Sequence, residues 1–423
     1  MKPSSARLWA TLLLLGLMGQ FAWTIENMYF NVFLYNTITT QPGYIAAMVA
    51  ASAVVATLTT LLMGALSDRV GRRKLFITGG YLLWGLSTAA FGFLSPQAAA
   101  RLFPAADGMR TAAILVVVMD CVMTFFGSTA NDAALNAYIT DAVESQRRGR
   151  VESVLAVLPL LAMLILFGGF DGMTRSGQWR QFFLIFGGLV FLAGLVSLFL
   201  LREAPFSPSR EPFAGQLLYG FKPSVMRAHP GLYLALCAFA VFSIAVQVFF
   251  PYFLIYMQHY LRLDNYALVL GVVLIIASLA SVLMGKPIDR LGRLRVVPPA
   301  AGVMLLGLLG MFLARGLLPV MAAGTVLMSG FMVVTAALSA EIRDRTPPEK
   351  AGHFQGIRMI FAVMLPMLIG PFLGAAVISG HGETYVELGV TKTVPTPAIF
   401  LASGAALLFI LIPLGLMKRR RMP

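Results

Sequence analysis

About 300 of the 423 residues fall in predominantly apolar runs of 20 or more, each long enough as a helix to cross a bilayer core of about 30 Å. Inside hydrocarbon every backbone N–H and C=O has to be satisfied by the chain itself, which leaves only helices or closed barrels. Strand-like alternation of polar and apolar residues is absent, so the expectation is an all-α membrane protein. Charged residues make up 12% of the chain, about half the soluble norm, and mean hydropathy is +0.82, which excludes a water-soluble enzyme. Helices are predicted over 8–35, 43–66, 75–94, 111–139, 152–170, 180–201, 231–257, 265–285, 297–314, 317–341, 353–379 and 396–417, twelve in all. The first is too long and too polar for a cleaved signal peptide, since it carries Gln20, Glu26, Asn27 and Asn31. Two cysteines, Cys121 and Cys237, lie in separate apolar runs and imply no disulfide framework.

The 32 Lys and Arg against 18 Asp and Glu give a net charge of +14, which in a soluble chain would point to nucleic acid. Position explains it better. With both termini and the even-to-odd connections on one side, that side holds 25 of the basic residues and the other 7, so it is expected to be cytoplasmic. The basic balance then reports topology; anionic lipid headgroups are the only acidic partner it requires, and no nucleic acid is expected. The setting that fits is the inner (plasma) membrane of a bacterium. A proline-rich stretch with scattered charge over 202–230 divides six helices from six, giving an N-terminal bundle over 1–201, a cytoplasmic linker, and a C-terminal bundle over 231–423 that ends in a basic cytoplasmic tail.

The halves echo each other. Asp68-Arg-Val-Gly-Arg-Arg-Lys74 follows helix two and Asp289-Arg-Leu-Gly-Arg-Leu-Arg295 follows helix eight, 221 positions later. A weaker echo pairs Asp141 and Gly149 with Asp344 and Gly352. Gly64 and Gly71 suit close helix approach and a tight turn, Asp68 can cap a helix N-terminus, and the basic cluster can pair with carboxylates or lipid phosphates.

The run from Gly64 to Lys74 resembles the signature loop of the major facilitator superfamily, and its degenerate copy from Gly285 to Arg295 sits where that family places one. The resemblance implies two pseudo-symmetric six-helix bundles and a cytoplasmic gate. The gate residues would be Gly64, Asp68, Arg69, Gly71 and Arg72, with Arg148 or Arg150, and in the second half Asp289, Arg290, Gly292 and Arg293. A purely topogenic, anchoring role for the cluster is the competing explanation.

Ionisable groups inside spans cost roughly 2.5 to 3.5 kcal/mol each on insertion scales, so each is a functional hypothesis. Glu26 in helix one and Asp120 and Asp132 in helix four qualify, and no Lys or Arg lies centrally in a first-half span to neutralise them. A proton or Na⁺ is the expected occupant of these coupling acids. At 100° per residue, Gln20, Asn27 and Asn31 align within about 40°, with Trp23 close by, and so do Asp120, Thr124 and Asn131, with Asp132 rotated farther round. Such stripes serve either as interhelical glue or as the wall of a wet cavity. The second half offers Gln247 and Tyr252 in helix seven, and Gln355 and Arg358 in helix eleven.

Gly19-Gln-Phe-Ala-Trp23-Thr-Ile-Glu26-Asn27 resembles the opening of sucrose transporters and of their relatives near the glycoside-pentoside-hexuronide cation symporters. The stretch Arg343-Asp344 through Glu349-Lys350, Gly352, Gln355-Gly-Ile-Arg358 and Pro366 strengthens that link. It implies a sugar or glycoside moved with a cation by a monomer. Helix two carries no carboxylate, which favours a proton over Na⁺. The alternative is a proton-driven exporter of amphipathic compounds, suggested by 23 Met and 31 Phe. No Gly-x4-Gly-Lys-Ser/Thr loop is present for a nucleotide-driven pump, and the four His lack metal-ligand spacing. Neither a cofactor, a metal nor an enzyme activity is expected.

Overall fold

The structure, a computed structural model, describes residues 5–143, 151, 154–203, 219–347, 351–381, 383–387 and 390–419. It contains 12 helices long and apolar enough to cross a membrane: α1 Ala6–Thr37, α2 Pro42–Val70, α3 Arg73–Phe93, α4 Gly108–Ala142, α5 Leu158–Arg175, α6 Trp179–Leu200, α7 Pro230–Tyr260, α8 Tyr266–Met284, α9 Arg293–Leu313, α10 Leu317–Arg345, α11 Gly356–Gly380 and α12 Ala398–Arg419. Contacts divide the chain into two compact units, Met1–Thr39 with Ala51–Pro212, and Thr40–Ala50 with Phe213–Pro423.

The helix α5 departs most from expectation. It begins at Leu158, beside Pro159, whose missing N–H costs nothing in a first turn. It also runs on through Gly168-Gly169 as a π-helical turn, Leu166–Phe170, into Asp171–Arg175, a polar segment that reads as loop in the sequence. A second departure lies between α11 and α12. There a hairpin of β1 Glu383–Glu387 and β2 Val390–Val394 pairs antiparallel, Glu383 opposite Val394, with β-branched and aromatic residues favouring the extended form.

Several spans are not uniform α-helix. Pro251 cannot donate to the preceding turn, and α7 tightens to a 3₁₀ turn over Phe250–Tyr252 before widening to a π turn over Tyr256–Tyr260. Further π turns lie in α1 (Ile25–Tyr29), α4 (Ser128–Leu135) and α11 (Ile360–Met364). Each widened turn changes which side chains share a face, and two of them carry candidate coupling acids.

Within the first unit, Phe30, Phe91, Phe183 and Trp179 form one aromatic cluster joining α1, α3 and α6. The second unit has an apolar cluster in which Leu232, Tyr233 and Leu236 of α7 meet Ile342 of α10, Phe354 and Ile357 of the α11 segment, and Met417 of α12. The repeated loops turn at Gly71 (φ 70°) and Gly292 (φ 88°), left-handed positions that favour glycine.

A buried carboxyl cluster in the first unit

Glu26 sits in the π turn of α1 and is buried, as are Asp120 and Thr124 on α4 and Ser52 on α2. The Thr124 hydroxyl donates to Glu26 Oε1 at 2.9 Å, and the Ser52 hydroxyl donates to Asp120. Glu26 Oε2 and Asp120 Oδ1 have no hydrogen-bond partner, and among the described residues neither carboxyl forms an ion pair. The two acids are near enough to interact electrostatically. A buried pair of this kind cannot hold two uncompensated charges at low cost.

Trp23 lies three residues before Glu26, and its ring centroid is 5.0 Å from that of Trp84 on α3. Both rings fit because Gly127 of α4 has no Cβ; one there would lie 2.7 Å from Trp84 Cε2 and 3.1 Å from Trp23 Cη2. The Trp84 indole N–H is itself buried without a partner.

On a straight helix Asp132 would stand well away from the stripe of Asp120 and Thr124. The π turn over Ser128–Leu135 advances roughly 80° per residue instead of 100°, which rotates Asp132 back toward that stripe. Its Oδ2 accepts from Ser128 at 3.1 Å. Neighbouring Asn131 accepts from Tyr81 of α3 at 3.1 Å, and Tyr81 also reaches the Leu15 carbonyl at 2.7 Å.

Helix α1 undergoes the opposite change: its π turn falls inside the expected stripe and splits it. Gln20 and Asn27 remain half-buried while Asn31 is buried. The amides of Asn27 and Asn31 donate to their own helix, to Trp23 O at 2.8 Å and Asn27 O at 2.9 Å. Ser52, Tyr81 and Trp84 carry no distinguishing signal in the sequence. Asp171 does, as an acid just past the expected end of helix five. It is buried, and Tyr29 donates to it at 3.5 Å.

In the repeated loop the ion pairs run through Arg73, one position after Arg72. Arg73 is buried and contacts Asp68 at 2.5 Å and Asp141 at 3.0 Å, while Arg69 and Arg72 are exposed. Asp68 is thus an ion-pair partner; the helix start at Arg72 has no side-chain cap. A Cβ on Gly64 would meet only Ala133 at 4.0 Å, so no close approach demands that glycine. In the second copy Arg293 pairs with Asp344 and donates to Ala340 O at 3.0 Å, and Arg290 is exposed. Arg148 and Arg150 lie outside the described residues, as do the side chains of Asp289 and Gln355. Truncating Arg73 to Ala strands two carboxylates and is expected to cost about 3 kcal/mol of stability, against a negligible loss for Arg72→Ala. Thermal melts of the two variants in detergent check this.

In the second unit, Gln247 is half-buried on α7. The buried Tyr252 commits its hydroxyl to backbone carbonyls, donating to Pro371 O at 2.8 Å and Pro42 O at 3.2 Å. Arg358 is exposed near the start of α11.

Two compact units, a repeated acidic-basic loop and buried acids within a span define a multi-pass membrane transporter. A model of the Major Facilitator Superfamily matches residues 12–371 and 266–423, and the chain belongs to that superfamily. It is a transporter and not an enzyme. No curated protein sequence matches it. Among solved structures it is similar to the nucleoside transporter NupG (D323A mutant), with a TM-score of 0.74 and 11% identity over 96% of this chain and 99% of that one. It is also similar to the partially occluded inward-open xylose transporter XylE from E. coli, with a TM-score of 0.65 and 15% identity over 97% and 98%. A bacterial homologue of the human lysosomal transporter Spinster, inward-facing and unoccupied, gives 0.64 and 14% over 97% and 96%.

Proposed function

We propose that the protein moves a small polar solute, a sugar or glycoside, by alternating access coupled to a cation, with a proton favoured over Na⁺. The observation that carries this reading is the pair Glu26 and Asp120. Each is buried, each has one oxygen bonded to a hydroxyl, and each has a second oxygen left without a partner. Occupation by a cation removes a penalty of several kcal/mol, and only an occupied or doubly neutral site crosses the membrane cheaply. The half-buried indole of Trp23, three residues before Glu26, suits the apolar face of a sugar ring, as carboxyls and amides suit its hydroxyls. In this reading the N-terminal bundle, 1–201, houses coupling, Asp132 relays the ion, and the loops around Arg73 and Arg293 form the gate on the cytoplasmic side of a bacterial inner membrane.

The test is uptake into proteoliposomes under an imposed proton gradient. Radiolabelled disaccharides, hexoses, xylose and nucleosides would be offered in turn, with a pH dye in the lumen. Accumulation of one of them with matching acidification is the expected result. If none accumulates and none moves protons, the sugar reading fails; extrusion of a lipophilic cation in the same vesicles would establish the exporter instead.

A further inference from the structure

On the side of the membrane opposite the repeated loops most connections between spans are brief: 38–41, 176–178, 261–265 and 314–316. The connection from α3 to α4, 94–107, is longer and folds by itself. Ser95 accepts from the Ala98 N–H at 3.1 Å and opens a short helix, Pro96–Leu102. Asp107 accepts from the N–H groups of Met109 and Arg110 at 2.9 and 3.3 Å and opens α4. Gly108 lets the two helices touch, since a Cβ there would lie 3.0 Å from Pro96 O and 3.1 Å from the Ala100 Cβ. The segment is therefore a folded foot seated against the start of α4.

The outward side of this foot is apolar. Leu102, Phe103, Pro104, Ala105 and Ala106 are exposed in an unbroken run, Leu102 at 70% and Phe103 at 49%, and Met109 follows at 48%. A surface meant for water seldom leaves such a run uncovered. Exposed apolar residues of the adjoining spans lead into it: Leu83, Leu86 and Phe93 on α3, and Ile114, Val118 and Val122 on α4. Arg101 and Arg110, also exposed, bracket the run, while the Asp107 carboxylate between them is committed to the helix start it caps. On the short helix Gln97 and Arg101 stand within about 40° of each other, and Leu102 about 140° from Gln97.

We propose that the foot, 96–110, lies in the membrane interface, with Leu102, Phe103 and Met109 among the upper acyl chains and Arg101 and Arg110 on the phosphodiesters of phospholipid headgroups. Its depth follows from the spans it joins. Helix α3 ends at Phe93, whose ring lies 4.6 Å from the Arg180 guanidinium, and α4 begins at Gly108, so the foot starts where hydrocarbon gives way to headgroups. An apolar run bracketed by cations at that level matches acyl chains below it and phosphates beside it. The inference uses only the spanning helices and does not depend on the coupled solute or ion.

The experiment uses the full chain with Cys121→Ala and Cys237→Ala, carrying one nitroxide label at Phe103→Cys, in nanodiscs of phosphatidylcholine and phosphatidylglycerol. Collision of the label with oxygen, which partitions into hydrocarbon, is compared with collision with a water-soluble nickel chelate. Val118→Cys supplies the lipid reference and Gln97→Cys the aqueous one. The label at position 103 is expected to favour oxygen, as at 118, and to shift toward nickel when Arg101→Gln/Arg110→Gln is added. Should the Phe103→Cys chain fold poorly, Leu102→Cys takes its place with the same expectation. A label that favours nickel as at position 97, or one shielded from both reagents as it would be against a second copy of the chain, overturns the proposal. An unchanged ratio without the two arginines overturns their hold on the headgroups.

Discussion

Replacing Glu26 with Gln is expected to abolish concentrative uptake while leaving the folded protein and solute exchange intact. The substitution keeps an oxygen for the Thr124 hydroxyl, which donates at 2.9 Å, and it keeps the volume of the side chain. It removes only the capacity to bind and release a cation. One charge moved across 100 mV supplies about 2.3 kcal/mol, close to a fifty-fold accumulation, and this factor is what the variant forfeits. Counterflow, in which labelled solute exchanges for unlabelled solute without net ion movement, is expected to continue at near the wild-type rate. Accumulation by Glu26→Gln equal to wild type would remove Glu26 from the coupling role, and Asp120→Asn, measured beside it, would show whether the second acid acts alone.

A large stability effect is expected from one of the smallest changes possible in the core, Gly85→Ala. Helices α3 and α6 cross where Gly85 faces Gly187. A Cβ at Gly85 would collide with the backbone nitrogen of Phe191 and lie 2.6 Å from Gly187 O. A Cβ at Gly187 would lie 2.5 Å from Ala89 N and 2.7 Å from Gly85 O. These are backbone atoms, which cannot rotate away, so the helices have to separate along their length and lose packing that in a bilayer is the main force joining them. A cost of about 3 kcal/mol follows, with the thermal midpoint falling on the order of 5 to 10 °C. Gly188→Ala is the control, because nothing lies within 4 Å of the Cβ it would add. Equal melting of the two variants would show that the α3–α6 crossing is looser than these distances imply.

The legible and the hidden parts of this protein separate by the range of the forces involved. Eleven of the twelve spans stand within a few residues of where hydropathy places them, since length and apolarity are sums over a local window. Helix α5 strayed at its two ends: it starts at Leu158, where Pro159 takes a first-turn position, and it continues through Asp171–Arg175, a polar segment that reads as loop in the sequence. The acids Glu26, Asp120 and Asp132 were conspicuous for their rarity in hydrocarbon. Their hydroxyl partner Ser52 and the indole of Trp84 were not, being ordinary residues for a helix. Asp132 was placed off the stripe by wheel geometry, which presumes a uniform α-helix and cannot anticipate a π turn. The pairing of Asp68 with Arg73, in preference to Arg72, likewise follows from which side chain the turn at Gly71 directs inward.

By itself, then, the order of residues determined that this chain spans a membrane 12 times, which loops carry its positive charge, and which acids had to be explained. Transfer out of water is priced residue by residue, and a linear string holds that information whole. Only the tertiary structure decided which hydroxyl meets which carboxyl and where the widened turns fall. Those outcomes rest on contacts between residues up to 142 positions apart, as in Tyr29 with Asp171, and such contacts exist only once helices have packed.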